Sequence, residues 1–151
     1  MKTVAVSLDG ALGDTRPLWD AFLADAARRF EAIAPLDVES LPDDRVAAAA
    51  ELDAWAESGV GDWRRALERF AEDHAPVHLR PDPDANAALR RLRRTGARIV
   101  VVTDAPEPLA RVALAHLGLA RSVDEVGAEP PHGAAVLFSA EDLVAHGYDQ
   151  R

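Results

Sequence analysis

Two short stretches of this 151-residue chain set polar side chains at the end of an apolar run. One is Ser7-Leu8-Asp9-Gly10-Ala11, which follows Thr3-Val4-Ala5-Val6. The other is Thr103-Asp104-Ala105, which follows Arg98-Ile99-Val100-Val101-Val102. A carboxylate in such a place can exchange a proton or contact a ligand, and a hydroxyl can donate to a developing oxyanion. A serine attacks only when a partner base takes its proton. Plainer roles fit the same residues. Asp-Gly is a standard turn pair, Ser7 can simply close a strand, and threonine commonly ends a parallel strand.

The elements that would carry these residues follow from periodicity. The run from Thr3 to Leu8 reads as a buried strand ended by the Asp9-Gly10 turn. Asp14 and Thr15 offer helix caps and Pro17 is tolerated in a first turn. Leu18, Phe22, Ala26, Phe30 and Ile33 then recur at helical spacing, which predicts a helix over residues 15–34. A second helix restarts at Pro42 and turns Val46, Ala49, Leu52 and Trp55 or Ala56 inward. A third follows the Asp62 cap, with Trp63, Leu67 and Phe70 on one face. The pattern changes at Pro76, and residues 78–83 read as a linker, because Pro81 and Pro83 each bias their predecessor toward extended geometry. The helix that follows carries Ala85, Ala88, Leu89 and Leu92 and stops at Gly96. The β-branched run at 98–103 is the strongest strand signal, of the kind covered on both faces in a parallel sheet. A helix over 106–117, short strands at 122–126 and 134–138 and a last helix near 141–145 complete the chain. Helical crossovers imply parallel strands and right-handed connections. Ligands in such sheets bind at the carboxyl ends of strands, which returns attention to Ser7–Ala11 and Thr103–Ala105.

In order and spacing these motifs resemble the haloacid dehalogenase-like superfamily, and within it the capped phosphoglycolate-phosphatase-like subgroup, over roughly residues 1–126. That family opens with an apolar strand ending in Asp-x-Asp-Gly-Thr-Leu; here the strand ends in Ser7-Leu8-Asp9-Gly10-Ala11-Leu12, with Asp14 shortly after. Its second motif is a Thr or Ser closing the next strand, as Thr103 does. Leu89, Leu92 and Gly96, then Leu117-Gly118-Leu119, also match. The resemblance implies an α/β fold: a Rossmann-like parallel sheet with a helical cap inserted after the first strand, shortened at the C-terminus. It implies a core formed by residues 1–13 and 84–151, and a cap formed by 14–83.

In the family the first Asp attacks phosphorus, the second handles protons, the Thr contacts the phosphoryl group, and a cation and magnesium stabilise charge. By this resemblance Ser7, Asp9 and Thr103 hold the catalytic positions, with Ser7 substituting the nucleophile, while Gly10, Thr103 and Asp104 hold the phosphate-binding ones. Asp9 and Asp142 are the possible metal ligands, with magnesium the expected cofactor only if the chain is active. Departures from the pattern are several. The nucleophile Asp is Ser7, no Lys follows Lys2, and residues 135–142 read either as an eroded acidic motif keeping Asp142 or as a final edge strand entering a helix. The expectation is a catalytically impaired or inactive relative retained for binding or assembly. The alternative is a weak magnesium-dependent phosphomonoester hydrolase that uses Asp9 and Thr103.

Composition narrows partners and location. With 26 acidic and 17 basic residues, the net charge of −9 repels nucleic acid. The N-terminal apolar run is too short for a signal peptide, and nothing reaches the roughly 18 apolar residues of a membrane span. The expectation is therefore a cytoplasmic protein with no membrane or nucleic-acid partner. A homodimer, a dedicated protein partner or a phosphorylated small molecule remains as the expected partner. There is no cysteine, so neither disulfide nor thiolate metal site arises. The five histidines lack metal-ligand spacing and read as surface residues. Trp19, Trp55 and Trp63 read as packing residues of the cap. Arg90, Arg91, Arg93 and Arg94 read as a solvated helix face around Leu89 and Leu92.

Overall fold

A computed structural model describes residues 2–149. Strand β1, Thr3–Ser7, is followed by a wide turn at Leu8–Leu12 and then by helix α1, Arg16–Arg29. Helices α2, Arg45–Ala56, and α3, Trp63–His78, follow with no strand between them. Helix α4, Pro83–Arg94, leads into β2, Arg98–Val102, and α5, Glu107–His116, leaves it. Short strands β3, Glu125–Gly127, and β4, Ala135–Leu137, precede α6, Ala140–Asp149. The four strands form one parallel sheet in the order β3-β2-β1-β4.

The sheet forms as it does because β1 and β2 are apolar on both faces. Val4, Ala5 and Val6 are wholly buried, as are Ile99 and Val101, as a strand sandwiched between helices requires. They pair in register from Thr3 with Arg98 to Ser7 with Val102. Helices α4 and α6 pack closely on each other, with Gly147 allowing contact with Ala88. Asp82 caps α4 by accepting from Asp84 and Ala85, Pro83 fits its first turn, and Gly96 leaves it in the left-handed region. No described helix is long and apolar enough to cross a membrane.

The helices between β1 and β2 form an aromatic layer. Trp19 lies 6.4 Å from Trp63 and 6.1 Å from Phe22, which lies 5.8 Å from Phe70. Trp19 and Trp63 are buried, so both pack as the sequence predicts. Trp55 is half-buried and donates to the Ala34 carbonyl at 2.7 Å.

Two expectations about these helices, and one about the histidines, differ from the structure. Helix α1 stops at Arg29 rather than near residue 34, since Phe30 leaves helical geometry and the chain turns through Ala34. Ile33 is consequently 59% exposed, lying over Gly59 instead of in the core. In α2 the inward face is Arg45, Ala48 and Leu52, and Val46 is 53% exposed. The histidines are not all surface residues. His74 stacks on Phe70 at 3.9 Å, His116 Nε2 lies 3.1 Å from the Leu79 carbonyl, and His146 Nε2 is buried with no hydrogen-bond partner among the described residues. The segment at 135–142 is an edge strand running into α6, with Ser139 Oγ capping it by accepting from Asp142 N at 3.0 Å.

Candidate functional site at the strand tips

The tips of β1 and β2 lie side by side, so the turn after Ser7 faces the turn after Val102. After Ser7 the backbone makes one wide turn, in which Gly13 N donates to the Leu8 carbonyl at 3.0 Å and Gly10 N to the Gly13 carbonyl at 2.9 Å. Gly10 sits at φ +98°, and a Cβ there would lie 2.7 Å from the Phe138 carbonyl oxygen. Only glycine satisfies both the torsion and the close approach of the chain after β4.

This turn aims the Asp9 carboxylate at the start of α1. Asp9 Oδ1 accepts from Thr15 N at 2.7 Å and from Thr15 Oγ1 at 2.8 Å. Its other oxygen, Oδ2, accepts from Arg45 Nη2. Arg45 is the first residue of α2, and its side chain is fully buried. From there the guanidinium reaches three groups at once. Besides Asp9, Nη1 donates to Thr15 Oγ1 at 2.7 Å and Nε donates to Asp104 Oδ1 at 2.9 Å. The Arg45 backbone N–H adds a bond to Asp104 Oδ2 at 2.9 Å, and Arg16 Nη2 donates to the same oxygen at 3.2 Å.

The cluster is electrostatically closed. Two carboxylates face two guanidiniums, one fully buried and one about 40% exposed. Burial alone would push the Asp104 carboxyl up, but the Arg45 backbone N–H and guanidinium, with Arg16 behind, hold it below the usual carboxylate range. Arg45 can be buried only because every direction it points finds an acceptor.

The remaining expected residues take quieter positions. Ser7 Oγ donates to the Asp9 backbone carbonyl at 2.7 Å, so its proton is committed to the main chain. Thr103 is buried; its backbone N–H pairs with the Gly127 carbonyl, and its Oγ1 accepts from Ala105 N at 3.1 Å. Asp142 is exposed in the first turn of α6 and, among the described residues, its side chain takes no part in the hydrogen bonds that hold Asp9 and Asp104. The structure thus joins Asp9 and Asp104 through one guanidinium, places Ser7 and Thr103 on neighbouring strand tips, and leaves Asp142 outside the hydrogen-bonded cluster.

Sequence reasoning missed Arg45, Thr15 and Arg16 as members of this cluster. It notes only that no lysine follows Lys2 and does not look for the cation among the arginines of the helices after β1. A usable signal existed: Arg45 follows Asp44, which caps α2 by accepting from Val46 N and Ala47 N. That cap fixes the phase of the helix and with it the direction of Arg45.

The donor set does not suit magnesium. This cation demands several oxygen ligands in near-octahedral array, and the first-motif carboxylate it would need is the Ser7 hydroxyl. Asp9 already serves three donors. Among the described residues no group of three or more His, Asp or Glu gathers in a way that could hold a metal ion.

A parallel sheet with helices packed on it and polar groups at adjacent strand tips defines a Rossmann-like α/β protein. The family model for haloacid dehalogenase-like hydrolase matches residues 6–146, and the chain belongs to that family. No curated protein matches it in sequence. Among solved structures it is similar to a HAD phosphatase from Thermococcus onnurineus, at 23% identity and TM-score 0.50, covering 83% of this chain and 61% of that one. It is similar to a predicted phosphoglycolate phosphatase from Haemophilus somnus, at 17% identity and TM-score 0.54, covering 89% and 65%. It is also similar to CbbY from Rhodobacter sphaeroides, solved in complex with phosphate, at 15% identity and TM-score 0.56, covering 89% and 66%. At these identities the likeness is one of fold. The chain spans less than two thirds of the length of each of these proteins.

Proposed function

We propose that this protein is a catalytically inert member of its family, kept for binding or assembly instead of phosphoryl transfer. The observation that carries this reading is the engagement of Asp9. A carboxylate accepting from Thr15 twice and from a buried Arg45 is poorly placed to give up or take a proton from a substrate. Ser7 supports the same conclusion, since its proton goes to a backbone carbonyl and a serine without a base is a weak nucleophile. A phosphate dianion would also meet two carboxylates whose guanidinium partners are already committed. Each missing transition-state interaction is worth about 3 kcal/mol, by comparison with single oxyanion donors. Loss of nucleophile and metal together therefore removes the barrier lowering that turnover requires.

The domain division belongs to the same proposal: residues 14–83 form a cap over a core of 1–13 and 84–151, and Arg45 ties the two. Incubation with p-nitrophenyl phosphate and magnesium tests the inert reading. The wild-type rate should equal those of Ser7→Ala and Asp9→Asn controls. A wild-type rate tenfold or more above both controls would overturn it in favour of a weak hydrolase.

A further inference from the structure

Away from the strand tips, helices α1 and α3 border a groove of about 370 Å³, a volume in the range of small-molecule sites. Arg29 brings the last turn of α1 to it, roughly 20 Å along that helix from Arg16 and the ion cluster. On α3, Arg65, Arg69 and Asp73 follow at one-turn spacing and share a face, and Phe70 and His74 share the next. Neither the Arg65 nor the Arg69 guanidinium has a hydrogen-bond or ion-pair partner among the described residues. Three carboxylates line the same groove, and two of them are engaged. Asp25 is shared by Arg28 and Arg29, at 3.1 and 3.3 Å, and Asp62 caps α3 by accepting from Arg65 N at 3.1 Å. Only Asp73 is left to oppose the two uncommitted guanidiniums.

The floor of the groove is aromatic. His74 lies flat on Phe70 at 3.9 Å, and Phe70 meets Phe22 edge-on at 5.8 Å, so the stack is anchored in the core. His74 Nδ1 lies 2.9 Å from the Phe70 carbonyl, which it can meet only as a donor, and this fixes the plane of the ring. We propose that the groove binds a small planar organic anion, an aromatic ring bearing a carboxylate or phosphate. Arg65 and Arg69 grip its acid group, for which the guanidinium fork is matched, and its ring stacks beside His74. The net charge of −9 does not exclude such a ligand, because charges farther away than about 8 Å are largely screened at physiological salt. None of these residues touches Asp9 or Asp104, so the site stands apart from the inert reading of the strand tips.

The test is a titration of the isotope-labelled full chain, followed by NMR of its backbone amides and arginine Nε–H groups. Phenylphosphonate and benzoate carry both ring and acid, inorganic phosphate lacks the ring, and benzyl alcohol lacks the charge. The two aromatic acids should shift Arg29 and residues 65–74 saturably, with dissociation constants of about 1–10 mM, ordinary for ligands of this size. The tighter of the two names the acid group. Phosphate and benzyl alcohol should bind at least threefold more weakly. Arg65→Gln combined with Arg69→Gln should weaken the aromatic acids about tenfold, as expected for losing two exposed charge contacts. Asp73→Asn should tighten them about twofold by removing a like charge. His74→Ala should weaken the aromatic acids and leave phosphate unchanged. The substituted arginines and Asp73 are exposed, so these variants should keep the wild-type spectrum elsewhere. No saturable shift in this set of residues overturns the proposal, as does phosphate binding as tightly as the aromatic acids. Unchanged affinity in the double arginine variant, or saturable shifts at Thr15 and Asp104 in place of α3, overturns it equally.

Discussion

At the scale of single residues, Asp104 shows what holds the strand tips together. Its two oxygens take three bonds from Arg45 and Arg16, two of them from guanidinium nitrogens and one from a backbone N–H at the start of α2. Those bonds favour the ionised form more than burial disfavours it, so its carboxyl titrates below the ordinary value near 4. A carboxyl whose folded pKa is depressed stabilises the fold above its unfolded pKa and loses that contribution as pH falls through the folded value. Asp104→Asn should therefore lower stability by roughly 2–4 kcal/mol at pH 7, the cost of stripping one partner from a buried charge. It should also flatten the decline in stability between pH 5 and pH 3, because part of that decline belongs to Asp104. Urea midpoints of both chains across that range check the two outcomes; a parallel decline in wild type and variant would show that Asp104 carries none of it. Sequence reasoning reached Asp9, Thr103 and Asp104 because they sit at the ends of legible strands. Arg45 was harder to place because 38 positions and helix α1 separate it from Ser7, and folding sets it beside Asp9.

At the scale of elements, legibility followed how uniquely a pattern fixes a face. β2 was plain because a continuous β-branched run has no polar side to misplace, and α4 was plain because Ala85, Ala88, Leu89 and Leu92 share one face and Gly96 marks its end, while Asp82 and Pro83, read as linker, in fact begin it. Helix α2 was not. Its alanine-rich stretch, Val46 to Ala50, offers similar apolar area on adjacent faces, so the Val46, Ala49 and Leu52 stripe looked as good as the true one. The phase is chosen by Asp44 at the cap and Arg45 in the ion cluster, neither of which a hydrophobic count scores. Substitutions on the two faces should then differ sharply. Val46→Gln, at a side chain 53% exposed, should change stability by less than about 0.5 kcal/mol. Leu52→Ala, at a fully buried position one turn beyond Ala48, should cost roughly 2–5 kcal/mol. Chemical denaturation of both variants measures the contrast, and equal effects would mean that α2 is rotated from the phase described.

At the scale of the whole molecule, the sheet ends on both sides in strands of three residues, β3 and β4, each paired on one side only among the described residues. Short edges blunt strand-to-strand pairing, so any assembly at these edges has to draw on side chains. Two exposed apolar ones are available: Val126 in β3, 38% exposed, and Phe138 just after β4, 67% exposed. Phe138 is the larger, and its backbone is pinned by the close approach of its carbonyl to Gly10, so the ring is presented from a fixed position. A ring so held loses less freedom on association than one on a loose loop. Opposing this is the net charge of −9, which makes two copies repel at low salt. Association of the chain with itself through this face should therefore strengthen as salt screens the charge, since the Debye length falls from above 10 Å to about 4–5 Å between 50 and 500 mM. Light scattering of the wild type should show its weight-average mass rising over that range. Phe138→Asp should abolish the rise while leaving the thermal midpoint within about 2 °C, because the substituted side chain contributes little to the core. A mass that stays monomeric at both salts would remove self-association from the proposed role, and a rise that survives Phe138→Asp would move the contact to another face.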